Sequence, residues 1–463
     1  MIVLPLAILW FAAVGLALVD GRRRWAGWAA IAALGAGLAA TLWLAVRVLR
    51  DGALQTVAGD WPVGVGIKLR ADALGVSFAV LSLAVLLAAL AYETAGGVRT
   101  RSFPALVLFE ATGLTGLFLT GDAFNFYVFF EIAMIAAYVL TSYGERSRQL
   151  RAAMIFAVVN LLGSVLFLIA IAALYHVTGS LDLRIMAARM SVTEANPAII
   201  TATVLFVAFG VKLGLFPFHF WLPAVYTGTR PAVSAILSGA LANIGSYGLL
   251  RFGVGMLPRE LDLAAPALLA LGTVSIVYGA LQAVSRHDPD EVLAYSSIGQ
   301  VGYVLIALGV SGPVGYAAAV LYALVNAVNK TLLFLSAGLR GWLVGAAFVV
   351  GAFSVAGVPP AAAFVGKEAL FRTGVAANGT ASAVVLVGLV LLGGALSFVY
   401  MFQLYQRRFW STDDDSPAAS SPRARRVLVA ALAVAVVGLG VWPEPLLVLS
   451  ERAADALRPG ATP

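Results

Sequence analysis

The sequence predicts an all-α integral membrane protein of about fourteen transmembrane helices. Three observations carry that prediction. Apolar runs of membrane-crossing length recur from end to end, charge is scarce, and the full charges inside apolar runs fall singly. Of the 463 residues, 61% are hydrophobic and 11% charged, with a mean hydropathy of +0.95. A soluble domain carries roughly 25% charged residues, so this composition is that of a polytopic membrane chain. With no cysteine, disulfides and thiolate metal sites are excluded. The histidines are three, His176, His219 and His287, too few to suggest a metal cluster or a haem site, and no cofactor is expected. The net charge of +7 lies in short loops between apolar runs. That is the orientation signal of membrane proteins and not a nucleic-acid patch.

Taken in order, residues 2–19 and 26–48 are the first spans. Asp20-Gly21-Arg22-Arg23-Arg24 follows the first directly, with no cleavage-like end, so it reads as an uncleaved span. Residues 49–71, with Gly52, Gly59, Pro62, Gly64 and Gly66, form a polar loop in which GVGIKLR alternates like a short hairpin. Spans at 73–90, 103–120, 123–141 and 152–175 follow. Residues 181–195 put Leu181, Ile185, Ala188 and Val192 on one helical face, the pattern of an interfacial amphipathic helix or a soluble helical loop. Then come 197–216, 231–253, 261–284, 292–310, 314–338, 342–358 with a continuation through 370, and 381–405. A polar loop at 407–426 precedes the last span, 427–442, and the tail from Pro443 is expected at the surface.

Alternating sides from the first span sorts the basic loops. One side collects Arg22, Arg23, Arg24, Arg99, Arg101, Arg146, Arg148, Arg151, Arg286, Arg340, Arg407, Arg408, Arg423, Arg425 and Arg426. The other holds a thinner set, such as Lys68, Arg70, Arg184, Arg189, Arg259 and Arg372. The positive-inside rule then places the N-terminus outside the cell membrane.

Two spans share a design. Around Lys212 the apolar run is followed closely by Pro217 and Pro223; around Lys367 it meets Pro359-Pro360 and resumes as AAAFVGKEAL. Proline frees backbone carbonyls, which is tolerated where neighbours or water satisfy them. Paired broken helices in two halves of a transporter point to its binding path. The two breaks stand five spans apart, which gives a five-helix repeat, and an odd-numbered unit inverts between its copies. The expected organisation is a three-helix segment at 1–102, a first repeat at 103–253, a second at 254–406, and a loop, last span and tail at 407–463.

A charge at the membrane centre costs about 2.5–3.5 kcal/mol on insertion scales, so Glu131, Lys212, Lys330 and Lys367 need a reason to be there. The plain reading of Glu131 is a structural ion pair or a protonated, hydrogen-bonded acid. The sharper one is the end of a proton relay, in which moving Lys212 nearer or farther switches the proton affinity of Glu131. Lys330 has Asn326 one turn earlier on the same face. Lys367 has Glu368 beside it and either joins the path or snorkels. Glu110 is an extra intramembrane acid that either faces a neighbouring subunit or lines an entry path. His219 is a proton-accessible imidazole or a capping partner. Asn243 is polar but cannot titrate, Arg251 is expected at the interface, and His287 with Asp288, Asp290 and Glu291 reads as a solvated loop. Asn378-Gly379-Thr380 matches a glycosylation sequon, and nothing resembles a phosphate-binding loop or a nucleophile triad.

The stretches LTGDAFNFYVFFEIAMIAAYVLTSYG, KLGLFPFHFWLPAVYTGTRPAVSAILSG, LAYSSIGQVGYVLIALG, NKTLLFLSAGL and SVAGVPPAAAFVGK resemble the antiporter-like membrane subunits. These are shared by Mrp multisubunit cation/proton antiporters, membrane-bound hydrogenases and respiratory complex I. The wording around Glu131 resembles the D subunit of the Mrp group most. The resemblance implies fourteen helices, two inverted five-helix repeats with interrupted seventh and twelfth helices, and other membrane subunits as partners. It also implies proton transfer along Glu131, Lys212, Lys330 and Lys367, in exchange for Na+ or K+, by a chain that is not an enzyme alone. Two positions depart from the family pattern. Asn243 stands where the eighth helix usually has a lysine, and Asn326 where a histidine usually precedes the eleventh-helix lysine. Either water bridges the gap or conduction is weakened or rerouted. The competing readings are a pump module of a complex I-like or hydrogenase redox complex, and a divergent scaffold subunit.

Overall fold

The computed structural model describes residues 1–57, 59, 66–376, 380–410 and 422–458. Helices α1 (Val3–Ala17) and α2 (Arg24–Asp51) lead into an antiparallel hairpin of β1 (Leu54–Val57) and β2 (Lys68–Ala71), with Leu54 opposite Ala71. Next come α3 (Ala73–Gly96), α4 (Phe103–Phe118), α5 (Ala123–Thr141), α6 (Ser147–Thr178) and the short α7 (Leu183–Met190). Helices α8 (Ala195–Leu213) and α9 (Trp221–Gly228) are halves of one interrupted span. Helix α10 (Pro231–Val254) contains two π-helical stretches, Leu237–Leu241 and Leu249–Val254. After α11 (Pro258–Ser285), α12 (Pro289–Val310) and α13 (Gly312–Ala337), a second interrupted pair appears, α14 (Trp342–Ala356) and α15 (Ala362–Ala376). Helices α16 (Thr380–Tyr405), α17 (Arg423–Val441) and α18 (Glu444–Asp455) complete the order.

Among the described residues eleven helices are long and apolar enough to cross a membrane, and α1, α4 and α14 are shorter apolar helices. The chain is therefore a multi-pass membrane protein. Helices α10 and α12 are 94% buried along their apolar windows, whereas α2 is 28% and α17 17% buried. The centre of the bundle is thus α10 and α12 with α3 and α13, and α2 and α17 face outward. Contact between α10 and α13 is backbone-close. A Cβ on Gly239 would lie 2.3 Å from Thr331 Oγ1, so only glycine lets the two helices meet there.

Helix starts follow from aspartate caps, since a carboxylate oxygen satisfies otherwise orphaned N–H groups. Asp72 accepts from Gly75 N at 3.0 Å, Asp122 from Asn125 N at 2.7 Å and Asp182 from Arg184 N at 2.9 Å. These caps lie at one end of the bundle, where β2, the α4–α5 turn and α7 are laced together. Gly121 N donates to Lys68 O at 2.8 Å, Leu183 N to Gly121 O at 3.0 Å, and Lys68 pairs with Asp182 at 2.9 Å. At the opposite end Gly21 N donates to Arg101 O at 2.8 Å, Arg407 Nη1 to Arg286 O at 2.9 Å, and Arg425 pairs with Glu93 at 3.1 Å. The loops that alternation assigns to each side do converge on opposite ends.

Local readings needed correction. The second hairpin strand is KLRA and its partner is LQTV; Pro62 and Gly64 lie outside the described residues, as do Asn378 and 411–421. Helix α7 packs through Met186 and Met190, while Ala188 and Val192 are exposed. Arg251 is not a free interfacial side chain: both its Nη atoms reach Asp72 at 2.7 Å. The tail folds into α18, which buries Ser450, Ala453 and Ala454.

Candidate functional site

In the first half of the bundle, Lys212 lies in the last turn of α8, next to its final residue Leu213. The chain leaves the helix at Gly214 with φ +62°, a left-handed conformation that glycine adopts freely. Trp221 Nε1 closes the break by donating to Val211 O at 3.1 Å. Lys212 is buried, and its ammonium donates to Asn160 O at 2.9 Å and Ser164 Oγ at 3.3 Å, both on α6. It also lies 4.3 Å from the centroid of the Phe130 ring on α5. Glu131 follows Phe130, is half-buried, and keeps Oε1 buried without a hydrogen-bond partner. Among the described hydrogen bonds none joins Glu131 to Lys212. A cavity of about 10 Å³, lined by Asn160, Lys212, Trp221, Leu241 and Ala242 among others, has room for about one water between Lys212 and α10.

Asn243, buried in α10, spends its Nδ2 on Gly239 O of its own helix at 2.8 Å. It lies between the two π-helical stretches, a distortion often found at functional sites. Glu110 is fully buried in α4 with both carboxylate oxygens unpartnered, so it does not face a neighbouring subunit. His219 Nε2 lies 3.0 Å from Tyr278 OH, its ring stacks on Phe216, and its Nδ1 is buried without a partner.

The second half carries a longer polar chain. Lys330 on α13 donates to Ser296 Oγ at 2.7 Å and to Leu293 O at 3.4 Å. Ser296 Oγ lies 2.9 Å from Tyr400 OH, which donates to Ser397 Oγ at 3.0 Å. Gln300 Oε1 accepts from Tyr322 OH, and the Tyr322 ring packs on Tyr303 at 5.1 Å between centroids. Lys367 lies 5.2 Å from the Tyr303 centroid and donates to Val355 O at 2.9 Å and Ala356 O at 3.0 Å. Lys367 thus satisfies the carbonyls left free where α14 breaks; it does not snorkel. Glu368 turns the other way, pairing with Arg372 at 2.5 Å on a more exposed face. Asn326 is half-buried, and Lys330 hydrogen-bonds to α12 instead of to it. Sequence reading missed Ser296, Gln300, Tyr303, Tyr322 and Tyr400. The available signal was the spacing of Ser296, Gln300 and Tyr303 at i, i+4, i+7, one face of a fully buried helix.

Residues 120–342 match the family described as NADH:quinone oxidoreductase/Mrp antiporter, TM. The chain is 29% identical over 444 residues to the Na(+)/H(+) antiporter D subunit of Alkalihalophilus pseudofirmus, covering 91% of this chain and 89% of that protein. Among solved structures, a chain of the Mrp complex from Dietzia sp. superposes with a TM-score of 0.89 at 25% identity, covering 98% of this chain and 97% of that one. A chain of respiratory complex I from Thermus thermophilus with bound aureothin gives 0.78 at 27% identity, covering 96% and 98%. Fold, buried cations and likenesses together define a membrane subunit of antiporter type. The chain resembles the antiporter-like subunits, and among them the D subunit of the Mrp antiporters.

Proposed function

We propose that this chain is the proton-translocating subunit of a multisubunit cation/proton antiporter of the cell membrane, exchanging protons for Na+ or K+ together with partner subunits. The observation that carries the reading is the setting of Lys212, Lys330 and Lys367. All three are buried, and the acceptors of their described hydrogen bonds are carbonyl and hydroxyl oxygens. Neutral acceptors hold an ammonium without locking it into an ion pair, so its proton remains transferable. Protons pass between Glu131 and Lys212 through local water. Beyond Lys330 they pass along the Ser296 and Tyr400 hydroxyls and reach Lys367 through local water. Between Lys212 and Lys330, water beside α10 replaces a titratable side chain. Glu110, His219, Asn243, Asn326 and Glu368 are secondary positions. Of these, Glu110 is best placed for a side path, because a fully buried carboxyl with no partner needs a proton or a water.

The architecture fits the same reading. Counting α1, α4 and α14 with the eleven long helices gives fourteen spans, the interrupted pairs α8/α9 and α14/α15 occupy corresponding places in two inverted repeats at 103–253 and 254–406, and the N-terminus lies outside. A second reading, the pump module of a redox complex, is favoured by the likeness to the Thermus thermophilus complex I chain; co-purifying iron–sulfur or flavin subunits would decide for it. Lys212→Ala or Glu131→Gln is expected to abolish pH-gradient dissipation by the assembled complex in everted vesicles, with assembly intact on native gels. Full exchange rates in both variants would refute the relay.

A further inference from the structure

Helix α10 packs between the Lys212 cavity and α13, and at residue 243 it carries an amide that cannot titrate. In a regular α-helix the carbonyl of residue 239 accepts from the N–H of residue 243. Here the side-chain Nδ2 of Asn243 reaches Gly239 O at 2.8 Å. The ladder beside that bond has slipped, with Ala242 N donating to Leu237 O, five residues back, at 3.0 Å. Gly239 is the third residue of the π-helical stretch Leu237–Leu241. A π turn holds one residue more than an α turn, so a carbonyl beside it loses its usual donor and needs another. Asn160 on α6 bonds in the same way to Phe156 O at 3.1 Å, but within a regular helix. What sets Asn243 apart is the slipped ladder around its acceptor.

This turn has two faces. Leu237, Leu241, Ala242 and Ile244 line the water-sized cavity opposite Lys212 and Asn160. Asn243 does not line it, although both its neighbours in the chain do. On the other face Gly239 meets α13, where an added Cβ would run into Thr331 Oγ1 and Ala327 O; Thr331 follows Lys330 in the chain. The turn therefore separates the Lys212 cavity from the helix that carries Lys330. Relaxing it to α geometry would rotate one flank of α10 against the other by about 100°. The Leu241 and Ile244 side chains in the cavity wall would move with it.

We propose that Asn243 is a positioning residue for proton transfer: its amide fastens the π turn at Gly239 and so keeps open the cavity through which a water takes the proton from Lys212 toward α13. The role rests on proton transfer through Lys212, as proposed above. Asn243 itself neither touches the water nor carries a proton.

The test uses the assembled complex in everted vesicles, with the rate of pH-gradient dissipation measured per assembled complex. Threonine also bonds to the carbonyl four residues back, as Thr331 does to Ala327 O at 2.8 Å, whereas valine has nearly the same shape and no donor. Asn243→Val is expected to slow transfer by about tenfold or more, the scale of loss that misplacement by a remote residue brings. Asn243→Thr should recover most of that rate. Asn243→Leu, which matches asparagine in size and also lacks the donor, decides if Asn243→Val fails to assemble. A Tm lowered by Asn243→Leu or Asn243→Val with no change in rate would make the bond structural only and overturn the proposal. So would an Asn243→Thr rate as low as that of Asn243→Val. Lys212→Ala, run beside them, separates the two readings. If it abolishes transfer while Asn243→Val and Asn243→Leu do not, the positioning role alone falls; if it too leaves the rate intact, the relay falls and the positioning role with it.

Discussion

Each buried lysine is held by a different arrangement of neutral oxygen. Lys212 takes a carbonyl and a hydroxyl of α6, Lys330 a hydroxyl and a carbonyl of α12, and Lys367 the last carbonyls of α14. The hydroxyl of Tyr400 is the joint of the second-half chain, since it touches Ser296 on one side and Ser397 on the other. Tyr400→Phe keeps the ring and removes that joint. Proton transfer in vesicles is expected to fall about tenfold or more, equivalent to about 1.4 kcal/mol of barrier. Assembly should be unaffected, because the two buried hydrogen bonds of the Tyr400 hydroxyl contribute only about 1 kcal/mol each. An unchanged rate would take Tyr400 out of the path. The lysines were legible in the sequence because a full charge in an apolar run is expensive. Ser296 and Tyr400 were not, since hydroxyls in spans are common and cheap, and 104 residues separate these two.

At the scale of elements, the two interrupted spans are built alike but closed differently. Trp221 caps the first break from across the gap, while Lys367 itself caps the second. The prolines announced both breaks; which side chain closes each depends on packing that the local sequence does not carry. The face of α7 was misread because the pattern was counted from Leu181, whereas the Asp182 cap starts the helix at Leu183 and it ends at Met190. The second break also depends on Gly357, which has φ +83°. A Cβ there would sit 2.5 Å from Lys367 Cδ. Gly357→Ala is expected to cost about 1–2 kcal/mol in backbone strain and to push Lys367 off the α14 carbonyls. The measurable result is proton transfer reduced far beyond the small loss in Tm; a normal rate would mean that Lys367 works from a displaced position.

For the whole molecule, the many-helix membrane class was legible in the sequence, because burying twenty-odd apolar residues and keeping arginine out of the membrane are both local costs. Sequence reading did not foresee that α1, α4 and α14 are short, or that the hairpin, the α4–α5 turn and α7 knit into one extramembrane layer at one end. Which end faces the cytoplasm follows only from charge asymmetry, and that is directly measurable. The chain has no cysteine, so a single introduced thiol reports one place without background. Val192, 84% exposed, belongs to the hairpin end, and His287, also exposed, to the arginine-rich end. With the N-terminus outside, Val192→Cys should react with a membrane-impermeant maleimide in intact cells, and His287→Cys only after the membrane is opened. The reverse pattern would invert the orientation, and with it the side from which each proton path opens. Labelling of both in intact cells would put the two loops on one face and contradict a two-ended bundle.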